Sequence, residues 1–124
     1  MIKTILTAVT LGLAVAGTNV AMAHGGAKPK HGGIVQASSD LSFELVANSD
    51  GAIIYVEDHG KPLNPAGMSG KLTVLKGTEK SEADLVPAGD RLLAKGITLQ
   101  SGAKVVAALT TAGKKAITVR FAIK

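Results

Sequence analysis

From Ile34 onward, apolar and polar residues change places at every second position in a series of short runs. Leu41, Phe43 and Leu45 alternate with Ser42, Glu44 and Val46, a period that sends one set to each face of a strand. Asn48-Ser49-Asp50-Gly51 interrupts the pattern, and Ala52 to Glu57 resumes it with β-branched and aromatic residues. An Asp-Gly pair between two such runs predicts a hairpin. Ile34-Val35-Gln36 makes a brief first strand. Lys71 to Lys76, Ser81 to Val86, Arg91 to Lys95, Lys104 to Thr110 and Ala116 to Lys124 supply the others. Pro87-Ala88-Gly89-Asp90 stops one of these runs, and Asp58-His59-Gly60-Lys61-Pro62 and Asn64-Pro65-Ala66-Gly67 read as further turns. Lys104 to Leu109 also fits a short helix of alanines and valines, but its length and paired valines favour a strand. About seven or eight short strands, spaced roughly 10 residues apart, predict an all-β fold over 34–124. The expected architecture is an antiparallel β-sandwich of Ig-like or Greek-key type.

The first residues follow a different pattern. Lys3 precedes an apolar run from Ile5 to Ala16, and a weakly polar stretch ends in Ala21-Met22-Ala23. A charged start, an apolar segment of about a dozen residues and an A-x-A site describe a Sec-type signal peptide over 1–23, helical in its apolar part. The run falls short of the roughly 20 apolar residues of a membrane-spanning helix. Cleavage after Ala23 leaves a single domain of roughly 100 residues with no membrane span. Its first stretch, 24–33, reads HGGAKPKHGG. Glycine, lysine and proline give it no side chain to bury, so it is expected as a flexible tail.

Composition narrows the compartment and the chemistry. The chain has no cysteine, which in an exported protein fits a bacterial periplasm and removes disulfides, thiolate metal sites and thiol redox chemistry. The formal charge is +5, but the lysines are scattered and aromatic residues are few. Nucleic-acid binding wants a concentrated basic face with stacking rings, so no nucleic-acid partner is expected. Enzymatic machinery is not visible either. The hydroxyls have no recognisable nucleophile turn, and adjacent Glu57 and Asp58 point to opposite faces of a strand. The chain reads as a non-enzyme.

Metal binding is the sharper chemical expectation. Cleavage after Ala23 makes His24 the N-terminal residue, whose α-amine and imidazole can chelate one ion together. His31 supplies a second imidazole through a glycine- and proline-rich loop that closes at small entropic cost. An all-nitrogen set of this kind suits Cu(II), with Zn(II) or Ni(II) as alternatives. The competing reading is an exposed tail with no metal of its own. His59 is a third candidate ligand, sharing a face with Glu57 if the strand continues that far, or else an ordinary turn residue. Met68 offers a thioether suited to Cu(I). No organic cofactor is indicated.

The motifs HGGIVQ, LSFELVAN and GAIIYVEDHGKPLNPAGMSGKLTVL, with AGDRLLAKG and the closing VRFAIK, carry a resemblance. Over His31 to Lys124 the chain resembles small exported bacterial proteins associated with heavy-metal efflux. It is also similar to the His-Gly-Gly β-domain of periplasmic adaptor subunits of resistance-nodulation-division (RND) metal exporters. The resemblance implies a periplasmic β-sandwich in a copper, zinc, cobalt or nickel resistance system, with such an adaptor as partner. The matching positions are His31, Gly32, Gly33 and the Asp58-His59-Gly60-Lys61-Pro62 turn. His24 alone is similar to the start of periplasmic copper-resistance carriers, whose methionine-rich loop this chain lacks. The long coiled-coil hairpin of a complete adaptor is also missing.

These readings converge on a periplasmic protein that binds or buffers a divalent transition metal as an accessory to efflux. The alternative is an interaction module without metal that docks on an envelope or efflux-adaptor protein.

Overall fold

A computed structural model describes residues 28–124; the signal-peptide reading of 1–23 and the candidate ligand His24 lie outside the described residues. The described chain is all-β, with nine strands: β1 (Ile34–Ser38), β2 (Leu41–Asn48), β3 (Gly51–Asp58), β4 (Lys61–Pro62), β5 (Ser69–Lys76), β6 (Glu79–Ala88), β7 (Arg91–Lys95), β8 (Lys104–Thr110) and β9 (Ala116–Ala122). No helix occurs among the described residues, and Lys104 to Thr110 is a strand. Every ladder is antiparallel.

The alternation does what the sequence promises. Phe43 and Leu45 of β2, Ile54 and Val56 of β3, Leu72 and Val74 of β5 and Ile117, Val119 and Phe121 of β9 point into one shared core. Each such side chain, fully buried, contributes about 1.5–3 kcal/mol, and with no disulfide this packing has to carry the fold. Met68 is also in this core, 5% exposed. The thioether is therefore enclosed by hydrocarbon, and the Cu(I) role considered for it is overturned.

Strand connection differs from a simple pair of sheets. The ladders run in one path, β1-β2-β3-β7-β6-β5-β8-β9, with β4 beside β3. β1 then lies next to β9, where the Ser38 hydroxyl donates to the Thr118 carbonyl at 3.3 Å. The sheet is thus nearly closed into a barrel, where the sequence suggested a sandwich. β6 is the reason. It runs past the expected stop at Pro87, pairing with β5 up to Leu85 and with β7 from Val86 to Ala88. Proline cannot donate to a ladder. Pro87 sits just where β5 has ended, opposite Leu92 of β7, so the missing N–H disturbs nothing.

The β2–β3 hairpin also forms as expected, with Ser49 and Asp50 as its turn and Gly51 as the first strand residue. The Asn48 side-chain oxygen accepts from the Asp50 amide at 3.0 Å. Gly51 is required because a Cβ there would overlap the Ala94 carbonyl on β7.

Candidate functional site

Glu44 is the one buried charged residue among those described. It lies between Phe43 and Leu45, so the pleat turns it to the outer face, beside Val35 of β1 and Tyr55 of β3. An outward glutamate would ordinarily be wet. Here the segment before β1 folds over it. Glu44 Oε1 accepts from the Lys30 amide at 3.0 Å, and Oε2 accepts from the amides of His31 at 2.9 Å and Gly33 at 2.8 Å. The His31 ring adds a fourth contact, Nδ1 to Oε1 at 3.1 Å. Gly33 admits this close course, since any Cβ at that position would overlap the Leu45 carbonyl.

Burial by itself disfavours the charged carboxylate. The Gly33 amide, the His31 ring and the amides of Lys30 and His31 outweigh it together and hold the Glu44 carboxyl below its ordinary value. An ionised carboxylate can only accept, so His31 Nδ1 carries the proton in this contact. In the neutral form of the ring this leaves Nε2 with its lone pair. The ring itself lies flat on Tyr55, with centroids 3.6 Å apart and planes 6° from parallel. The Tyr55 hydroxyl accepts a long contact from Arg91 Nη1 at 3.4 Å, and Arg91 Nε is buried with no partner among the described residues. His31 is therefore held on two sides, by a carboxylate at its edge and a phenol on its face.

Lys30 extends the arrangement toward the β3–β4 turn. Its ammonium pairs with Glu57 at 2.7 Å and donates to the Gly60 carbonyl at 3.2 Å. Asp58 and Lys61 face each other across His59 and Gly60, and both turn residues have positive φ, 52° and 83°. This is a two-residue turn of the primed kind. β3 ends at Asp58, so of the two readings of His59 the turn residue holds, and it does not share a strand face with Glu57. The exposed His59 ring places Nδ1 2.5 Å from Asp58 Oδ1. Both described histidines thus turn Nδ1 toward a carboxylate. They sit on two segments tied together by Lys30.

Among the described residues no three His, Asp or Glu side chains come together as a metal-holding group. His31 and His59 are presented as separate nitrogen donors. Sequence reasoning singled out both histidines and missed Glu44, Tyr55 and Lys30. The available signal was the close succession of His31, Gly32 and Gly33 before a strand, which allows backbone amides to reach a side chain on the next strand.

Compared with family models, with curated proteins and with solved structures, the chain finds no match.

Proposed function

We propose that this chain is an exported periplasmic protein that binds or buffers a divalent transition metal, Cu(II), Zn(II), Ni(II) or Co(II), as an accessory to heavy-metal efflux. The observation that carries the reading is the carboxylate held against Nδ1 of each described histidine. Such a partner fixes the tautomer, orients the ring and raises the basicity of the other nitrogen, as it does for metal-ligating histidines in general. His31 is the better presented of the two, because Glu44 and Tyr55 restrict it before any ion arrives. The α-amine and ring of His24, ahead of the described residues, would complete a nitrogen set with it. His59 would serve as an additional donor. The motif resemblance to efflux-associated proteins supports the same setting, with an RND adaptor as partner. On this reading the nearly closed sheet serves as a sandwich-like scaffold, β1, β2, β3 and β7 forming one face and β5, β6, β8 and β9 the other.

The test is calorimetric titration of the mature protein, with a free His24 amine, against Cu(II), Zn(II) and Ni(II). Submicromolar one-to-one binding that is lost in the variant carrying His24→Ala and His31→Ala is the expected result. Affinity should fall as acid protonates the imidazoles and the amine. Binding no tighter than about 10 μM, near −7 kcal/mol, would reject the proposal.

One observation favours the interaction module as a second reading. Val46, Ile53, Leu93 and Val86 lie side by side across β2, β3, β7 and β6 on the outer face, and Val86 is 55% exposed. A partner docked there would be lost with Val86→Glu and kept with the histidine variants.

A further inference from the structure

One strand of the sheet uses only part of its second side. β6 pairs with β5 from Glu79 to Leu85, but with β7 only from Val86 to Ala88. Two-residue turns close both hairpins, Gly77 and Thr78 before Glu79, and Gly89 and Asp90 after Ala88. Residues flanking such turns face each other with both backbone groups, and the facing side then alternates along the strand. Counted from Glu79, the odd-numbered residues turn their amides and carbonyls to β5. Counted from Ala88, the even-numbered ones turn toward β7. The two counts agree, so no bulge interrupts β6. The ladder to β7 stops at Val86, and the backbone groups of Lys80, Glu82 and Asp84 have no strand opposite them among the described residues. Where the two strands part, a wedge of about 430 Å³ opens, lined by Glu82, Asp84, Val86, Ala88, Leu93 and Lys95.

Charges along an open edge normally discourage pairing with other strands. Here Lys80 and Glu82 carry opposite signs two residues apart, an arrangement that can complement itself. Lys80 and Glu82 are exposed on the same face, 3.4 Å apart. Consider two copies lying antiparallel about a two-fold axis through Ser81. Lys80 of each then stands opposite Glu82 of the other, and both residues have their backbone groups turned outward to meet. An axis through Glu82 would set Lys80 against Asp84 on either side but would oppose the two Glu82 carboxylates at its centre. An axis through Ala83 would set Glu82 against Asp84 twice. Like charges directly opposite are destabilising, and of these three registers only the Ser81 one sets no like charges against each other. In that register the second copy's Gly77–Thr78 turn comes level with Asp84 and Leu85, at the mouth of the wedge.

We infer that the protein forms a two-fold dimer by antiparallel addition of β6 to β6 across Ser81, held by backbone hydrogen bonds at Lys80 and Glu82 and by reciprocal Lys80–Glu82 ion pairs. The occupant of the open edge is a second copy of this chain. The contact uses neither His31 nor His59.

Sedimentation of the mature protein from roughly 1 μM to 1 mM, with a chelator present to exclude metal-bridged association, reads the state directly. Dimer at the upper end, dissociating on dilution, is expected. Lys80→Glu alone and Glu82→Lys alone should each be monomeric, with unchanged circular dichroism because both side chains are exposed. Mixing these two variants should restore association as a heterodimer, since every facing pair again has opposite signs. The double variant Lys80→Glu with Glu82→Lys should dimerise like the parent. A parent that stays monomeric throughout the range overturns the inference. So does a dimer that survives both single substitutions, or a mixture that fails to associate.

Discussion

Tyr55 stacks against His31 with ring centroids 3.6 Å apart. It is also the chain's single tyrosine, and there is no tryptophan. The intrinsic fluorescence of the protein therefore comes from a ring in contact with the proposed ligand. Cu(II) bound at His31 Nε2 should quench that emission by more than half, and His31→Ala should abolish the quenching. Replacing Tyr55 by leucine removes the stack at a cost of about 1 kcal/mol, measurable as a lower urea midpoint.

Glu44 should make stability depend on acid. Its carboxyl in the folded chain lies below the ordinary glutamate value of 4.5. A group shifted in that direction contributes its full stabilisation above the unfolded value and loses it as pH falls through the lower folded one. The urea midpoint of the parent should therefore decline once pH drops below about 4.5. Glu44→Gln should lack that part of the decline. At neutral pH it should be less stable by about 2–3 kcal/mol, because an amide cannot accept from all the donors gathered around the carboxylate.

Gly33→Ala tests how closely the covering segment approaches β2. The added methyl has no room against the Leu45 carbonyl, so the segment must lift. A loss of about 1–3 kcal/mol is expected. Exchange protection should fall at the Lys30 and His31 amides first, because their acceptor is Glu44.

Met68→Leu separates packing from metal chemistry. The side chain is in the core, so a residue of similar volume should cost less than about 1.5 kcal/mol. Copper affinity in either oxidation state should not change, measured by calorimetry for Cu(II) and by competition with a chromophoric chelator for Cu(I).

Much of the fold could be read from alternation, because facing an apolar interior imposes period two on strands such as β8 and β9, though β3 and the long β6 do not keep it. Leu41, Phe43 and Leu45 announced β2, and Ile117, Val119 and Phe121 announced β9. Pro87 misled for a physical reason. A proline ends a strand where a neighbouring strand needs its N–H, but the Pro87 nitrogen faces the side of β5, whose ladder with β6 stops at Leu85. The site was less legible. Glu44 has the same local pattern as any wet outer-face residue, and only tertiary folding brings the Lys30–Gly33 backbone over it. The composition of HGGAKPKHGG suggests mobility, yet three amides of its last residues converge on one carboxylate. His59 was visible as a turn residue because Asp58 and Gly60 flank it.

The path of the sheet begins with β1 and ends with β9, and those two strands face each other without a ladder. Closure there relies on side chains and on the contact from Ser38 to Thr118. A seam of this kind is the place where the barrel can part while its other ladders stay intact. Amides of β1 and β9 that face the seam should trade hydrogen for deuterium well before those of β3 or β5, and without global unfolding. Because the Glu44 cluster anchors the approach to β1, it acts as a clasp on that seam, and the same residues that present His31 set how often the barrel opens.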